Sequence, residues 1–400
     1  MINVAVMGHG TVGSGVVEIL MTHVASIAEK VGDEIRVKYI LDLRDLPEHL
    51  ADKAVKDFSV IENDPEVDIV VEVMGGVGAA LEFSRRALNA GKSVVTSNKE
   101  VVAAHGYELT QLAKEKGVSY LFEASVGGGI PIIRPMSQCL AANDIQEIRG
   151  ILNGTTNYIL TRMIRAGLSF EDALAEAQQL GYAERDPSAD VLGHDACRKI
   201  CILSALAFGR HIYPRQITAE GITAIALADV DYASVAGKKI KLLGRAIRQQ
   251  DGKVCAYVAP HLVDQSNPLA GVEDVFNAIA VRGDSVGNVM FYGPGAGKLP
   301  TASAVVADVM DIAVHRGNRK PICWADGGED VVCGVEELES CWYVRTLTSD
   351  IALQSALGEV KILSKGGVEA ACITVAEMTR DELLAKLDGV ELISAIRVLD

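Results

Sequence analysis

Residues 8–13 read Gly-His-Gly-Thr-Val-Gly, and they follow directly on the apolar run Ile2-Asn3-Val4-Ala5-Val6-Met7. A lone G-x-G-x-x-G says little, but one placed between a strand and a helix fixes the start of a dinucleotide-binding βαβ unit. Gly8, Gly10 and Gly13 let the turn close and let a pyrophosphate reach the backbone. Thr11 and Val12 begin a helix whose first N–H groups face that charge. The pattern predicts one helix of about twenty residues here, with Val16, Val17, Leu20, Val24 and Ile27 on one face.

The βα alternation then repeats to residue 123. Strands are expected at Ile35–Leu41, Ile69–Met74, Ser93–Thr96 and Ser119–Glu123, with helices over about 79–90 and 100–116. Repeated βα units imply a doubly wound parallel sheet with ligands at the carboxyl ends of its strands. The end of the second strand is where the nucleotide is chosen. An acid there takes the ribose hydroxyls of NAD, and an arginine takes the 2′-phosphate of NADP. Asp42 and Arg44 offer both. Lys99 follows the fourth strand, at the same crevice; a lysine there is either a solvated surface charge or an active-site group.

Farther on, Ala177–Lys199 gathers carboxylates at Glu184, Asp186, Asp190 and Asp195 and closes on Lys199. Asp186-Pro187 has the form of a helix start, an Asx cap before proline. Ala189–Phe208 is expected as one helix, so Asp195 and Lys199, four apart, share a face. The plain reading is a surface ion pair of about 0.3–0.5 kcal/mol. The functional reading is a lysine ringed by acids, able to hold and protonate a small amino-acid-like molecule.

The formal charge of −15 argues against nucleic acid or an anionic membrane as partner. Apolar residues make up 49% of the chain but fall in runs far short of a membrane span. The chain opens on a strand, which predicts neither a signal peptide nor a kinase-like module ahead of it. Eight cysteines without a C-x-x-C suit reduced thiols in a cytoplasmic protein. His9 and His194 lack ligand spacing and are taken as local polar contacts.

The segment Ala177…Gly181-Tyr182-Ala183…Asp186-Pro187…Asp190-Val191…Gly193…Asp195…Lys199 resembles the signature of homoserine dehydrogenases at every fixed position. Two further segments agree, Leu152–Leu160 (LNGTTNYIL) and Gly283–Asp311. The resemblance covers about residues 1–317 and implies reversible NAD(P)H-dependent reduction of L-aspartate 4-semialdehyde to L-homoserine, in threonine and methionine biosynthesis. It assigns Lys199, Lys99 and Asp190 to catalysis, and Glu184, Asp195, Gly154 and Thr155 to substrate binding. Arg44-Asp45 resembles the Arg-Asp pair of the family, which implies NADP, while Asp42 suits NAD. The cofactor set becomes Gly8, Gly10, Thr11, Val12, Gly13, Arg44, Lys99 and Gly297. By the same resemblance, the Glu123 side chain and the carbonyls of Val126, Gly128 and Ile130 form a structural sodium site. Oxygen-only ligation suits such a hard ion. A homo-oligomer, dimer or tetramer, is also implied.

Three domains are therefore expected: NAD(P)-binding over 1–130, an α+β substrate and dimerisation domain over 131–317 whose last helix returns to the nucleotide domain, and 318–400. The last has strands and helices in the order βαββαβ and resembles the ACT regulatory domain. Its first loop reads Ser349-Asp350-Ile351-Ala352 where such domains carry Asp-x-Pro-Gly. Threonine binding and a dimerising or vestigial role stand as alternatives. A non-catalytic amino-acid sensor and another small-metabolite dehydrogenase are the rivals; the full complement of signature residues argues against both.

Overall fold

In the computed structural model, which describes residues 1–316, 318–364 and 369–399, the N-terminal strands lie parallel in one sheet. They are β1 (Ile2–Met7), β2 (Ile35–Leu41), β3 (Ala54–Val55), β4 (Val67–Glu72), β5 (Ser93–Thr96) and β6 (Tyr120–Leu121), side by side as β3-β2-β1-β4-β5-β6. Val4, Val6, Val70, Val71 and Val95 are fully buried, as expected where both faces of a parallel sheet are covered. The cover comes from α1 (Thr11–Thr22), α2 (Val24–Val31), α3 (Phe58–Glu62), α4 (Gly78–Asn89) and α5 (Lys99–Lys116). The single helix expected after the glycine turn is in fact α1 and α2, bent by 78°. His23, with non-helical backbone, separates them, and the bend brings Ile27 into the same core as Val16, Val17 and Leu20. The fifth expected strand shortens to Tyr120–Leu121, because Glu123–Ser125 coil into a 3₁₀ turn.

The middle of the chain supplies β7 (Ile145–Ile151), β8 (Thr218–Ala219), β9 (Lys238–Arg248), β10 (Val254–Asp264), β11 (Phe276–Gly283) and β12 (Gly287–Pro294). Its helices are α6 (Gly154–Ala166), α7 (Phe170–Gln179), α8 (Ser188–Val191), α9 (His194–Phe208), α10 (Leu227–Val235) and α11 (Lys298–His315). The helix expected over Ala189–Phe208 breaks into α8 and α9. Gly193 there takes a left-handed φ of 81°, and the Val191 carbonyl accepts from Ile222 N–H at 2.9 Å instead of from its own helix. α11 packs on α1. A Cβ on Gly15 would lie 2.9 Å from the Ala302 Cβ, so the crossing requires glycine.

The last elements are β13 (Val332–Cys333), β14 (Trp342–Thr346), α12 (Asp350–Leu357), β15 (Val360–Ile362), β16 (Ala370–Thr374), α13 (Arg380–Lys386) and β17 (Leu392–Leu399). β14 to β17 follow the βαββαβ order but share a sheet with the middle of the chain. β17 pairs in parallel with β10 (His261↔Arg397, Leu262↔Val398, Val263↔Leu399), giving the order β12-β11-β7-β9-β10-β17-β14-β16-β15. Gly317, the expected boundary, lies outside the described residues. Among the described residues no single helix is long and apolar enough to cross a membrane.

Candidate active site

The glycine turn is built for a close approach. Gly8 has φ 96°, and a Cβ on Gly13 would sit 1.9 Å from the Gly8 carbonyl oxygen, whereas the space around Gly10 is open. Only this glycine spacing lets α1 start so near β1 while leaving room above Gly10 for a pyrophosphate. The fit to a dinucleotide rests on that cradle. Asp42, past the end of β2, accepts from the His9 and Arg44 N–H groups at 2.8 and 2.9 Å and from the Arg44 guanidinium at 2.9 Å. The Arg44 bond, ahead of the others, outweighs burial and holds the Asp42 carboxyl below the usual range. A cavity of about 560 Å³ opens here, lined by Gly8, Gly10, Asp42, Arg44, Lys56 and Phe83 among others. Lys56 was missed in the sequence: it lies on the loop after β3, with no motif to mark it.

A second cavity of about 370 Å³ adjoins the first across Met74 and Gly75, which line both. Val12, Gly76, Lys99, Ser125, Lys199 and Gly295 also line it. Lys99 is the first residue of α5, whose N-cap is Asn98, with its Oδ1 accepting from the Glu100 and Val101 N–H groups at 3.2 Å each. Its Nζ pairs with Asp195 Oδ1. From α9, Lys199 Nζ donates to Asp195 Oδ2 and to the Leu152 carbonyl, both at 2.7 Å. Asp195 and Lys199 are 3% and 7% exposed, so the pair is not the solvated surface bridge of the plain reading. Burial pulls the Lys199 ammonium down, and the Lys99 charge adds to it against Asp195. Burial works to raise Asp195, but the charges of Lys199 and Lys99 prevail and hold it ionised.

Asn153 caps α6 through Oδ1, which accepts from Thr156 N–H at 2.9 Å, and its Nδ2 donates to Asp190 at 2.7 Å and Asp195 at 3.0 Å. One buried amide thus starts a helix and joins two carboxylates. Burial raises the Asp190 carboxyl, opposed first by the Asn153 bond. Gly154 packs against the Val275 carbonyl, 2.7 Å from where a Cβ would be. The Thr155 hydroxyl donates to the Tyr182 carbonyl at 2.7 Å, so that side chain is already engaged, leaving the N–H groups of Gly154 and Thr155 at the start of α6. Glu184 is exposed on the loop before α8, and the structure does not bring it against either lysine.

Glu123 is buried, and its carboxylate accepts from the N–H groups of Ile132, Ile133 and Arg134 at 2.5, 2.8 and 2.8 Å. The loop through Val126, Gly128 and Ile130 presses on the turn before α11: a Cβ on Gly128 would meet the Gly295 carbonyl oxygen at 2.3 Å. Gly295 and Ala296, rather than Gly297, line the lysine cavity; Gly297, with φ 128°, caps α11.

A glycine-cradled crevice opening onto two lysines about one carboxylate defines a nicotinamide-dependent oxidoreductase. Two family models match, described as Homoserine dehydrogenase, NAD binding domain (residues 8–123) and Homoserine dehydrogenase (residues 131–310). A homoserine dehydrogenase of Neisseria gonorrhoeae is 38% identical over 100% of this chain and 96% of its own, and one of Bacillus subtilis is 43% identical over 78% and 72%. Among solved structures, homoserine dehydrogenase from Thiobacillus denitrificans superposes with a TM-score of 0.91 at 36% identity, covering 100% of this chain and 98% of that one. An archaeal homoserine dehydrogenase mutant in complex with NADPH gives 0.66 at 31%, over 79% and 98%. The chain belongs to the homoserine dehydrogenase family, oxidoreductases that act on a CH–OH group in amino-acid biosynthesis.

Proposed function

We propose that the enzyme interconverts L-aspartate 4-semialdehyde and L-homoserine with Lys199 as the acid–base group. The observation that carries this is the meeting of Lys99 and Lys199 on Asp195 in the cavity that adjoins the glycine cradle. The Gly8–Gly13 cradle would hold the dinucleotide, whose nicotinamide would supply hydride to, or accept it from, the substrate's aldehyde or alcohol carbon. As charge develops on the aldehyde oxygen, Lys199 gives it a proton and Lys99 stabilises it electrostatically. Asp195 keeps both ammonium groups aimed, and Asp190, tied to Asn153, orients the lysine or a water. The α6 N–H groups of Gly154 and Thr155 suit the substrate carboxylate. Both Asp195 oxygens already hold lysines, so Glu184 is the freer acceptor for the substrate ammonium, with Asp195 sharing it when Lys99 lets go.

NADP is the preferred nucleotide in this reading. Arg44 and Lys56 place two cations at the cavity where a 2′-phosphate belongs, although Asp42 leaves NAD usable. The Glu123 carboxylate with the Val126, Gly128 and Ile130 carbonyls would hold sodium as a structural ion; the all-oxygen donor set fits, and the carboxylate is held in place by the Ile132, Ile133 and Arg134 N–H groups. Edge strand β12, with Met290 and Tyr292 exposed, suits assembly with a second copy. The protein works in the cytoplasm, in line with its free cysteines. Ser349 caps α12 in the loop where the ACT resemblance would place threonine, so threonine binding and a purely structural role remain the two readings of residues 318–400.

One assay tests this: homoserine-dependent reduction of NADP and of NAD in parallel, with and without threonine. Turnover favouring NADP is expected. Turnover with equal efficiency on both nucleotides would overturn the nucleotide assignment.

A further inference from the structure

Glu72, at the carboxyl end of β4, is wholly buried and belongs to none of the groups assigned above. Its Oε1 accepts from Met74 N–H at 2.8 Å and its Oε2 from the Thr96 hydroxyl at 2.6 Å. The Thr96 oxygen accepts in turn from Asn98 N–H at 2.9 Å, and Asn98 Nδ2 donates to the Gly76 carbonyl at 2.7 Å. Asn98 is also the cap of α5, on which Lys99 is the first residue. One carboxylate therefore ties together the two rims of the reaction cavity, the Gly75–Gly76 turn and the Lys99 helix start.

No cation pairs with Glu72 among the described residues. Its sheet neighbours are Met7 on β1 and Thr96 on β5, and from β6 the buried Tyr120 hydroxyl feels its charge. No charged side chain of α5 or α11 acts on it. An unpaired buried carboxylate is costly, and its hydrogen-bond donors are what keep it.

We propose that Glu72 is a positioning residue whose carboxylate form, acting through Thr96 and Asn98, sets the cavity rims and the placement of Lys99. Burial pushes its carboxyl up to about 7, against the bonds from Thr96, Met74 and Asn98. Protonation turns one oxygen into a donor. The Thr96 oxygen then takes two donors while its own hydrogen must find a new acceptor, which weakens its hold on the Asn98 N–H and so on the residue that caps α5. Semialdehyde reduction should accordingly rise with pH through an acidic limb near 7, apart from the alkaline fall that belongs to Lys199.

The test is kcat/KM for semialdehyde reduction across about pH 5.5 to 9.5, which brackets the acidic limb. Glu72→Gln, fixed in the neutral hydrogen-bond pattern, should lack the acidic limb, falling roughly tenfold short of wild type above it and matching wild type below it. Thr96→Val keeps the carboxylate but cuts its link to Asn98, so the limb should flatten. A Glu72→Gln profile parallel to wild type at every pH overturns the proposal. If that variant does not fold, an undiminished limb in Thr96→Val does the same. The inference rests on Lys99 acting at the substrate oxygen: a fully active Lys99→Ala would sink that role, whereas a poorly active Lys99→Ala beside a Glu72→Gln profile parallel to wild type would sink the Glu72 role alone, so the two failures are distinct.

Discussion

Lys99 and Lys199 reach opposite oxygens of the Asp195 carboxylate, the first from the helix after β5 and the second from α9 one turn beyond Asp195 itself. The residues come from the two segments that the family models divide between them. The site therefore exists only when the nucleotide-binding and catalytic segments are docked. The Lys99 charge also bears on the Lys199 proton. That coupling is what a general acid working near neutrality needs.

Removing the acid is the plainest check. Lys199→Ala should lower kcat by about 10²- to 10⁴-fold in both directions. The sign with pH follows from the charge. Reduction needs the ammonium and should fall as pH rises through the lowered Lys199 value; oxidation needs the free amine and should rise there. Opposed alkaline limbs in wild type, absent from Lys199→Ala, are the expected record. A Lys199→Ala enzyme of normal rate would return the proton to Lys99.

Asn153 separates helix capping from acid placement. Asn153→Ala should cost about 1 kcal/mol of stability through the lost cap, read from thermal melts, together with a drop in kcat. Asn153→Ser keeps a capping oxygen but cannot donate to Asp190 and Asp195, so it should recover the melt and not the rate. Recovery of both would mean that the amide serves only the helix.

At the nucleotide pocket, Arg44→Ala should raise KM for NADP roughly ten- to a hundredfold, the scale of a lost charged hydrogen bond, and leave NAD nearly unchanged. The same rise for both nucleotides would show that Arg44 merely holds Asp42.

Stability of the C-terminal region rests on a contact outside the site. Asp229 of α10, fully buried, accepts from Arg345 Nε at 2.8 Å and from the Tyr343 hydroxyl at 3.0 Å, both on β14. Asp229→Ala strands the Arg345 guanidinium, and Glu369, partly exposed, relieves it only in part. The expected loss is about 3 kcal/mol, with faster proteolysis beyond residue 318. Unchanged protease resistance would argue that β10–β17 pairing alone anchors this region.

The N-terminal fold was legible because its signals are local: the glycine spacing and the apolar strand runs each specify one conformation. Asp190, Asp195 and Lys199 were legible together for the same reason, while Glu184 and Asp186 of that stretch stay exposed outside the group. Breaks set by distant partners were not. Gly193 reads as an ordinary helical interruption until Ile222 is seen to take the Val191 carbonyl, and His23 carries no breaker signal. Lys56 and Glu72 matter through what lies opposite them, across strands whose pairing no local pattern states. The joining of β17 to β10 was hidden likewise, since an edge pairing leaves no period in either strand.

That last pairing bears on how the chain is made. β17 follows every other described strand, yet it supplies the neighbour that one end of β10 lacks until then. During synthesis the edge of His261–Val263 that faces away from β9 must wait with its backbone groups open, exposed to any passing strand. The catalytic sheet is thus finished last, and a chaperone that shields β10 would do more for yield than one that acts on the nucleotide-binding end.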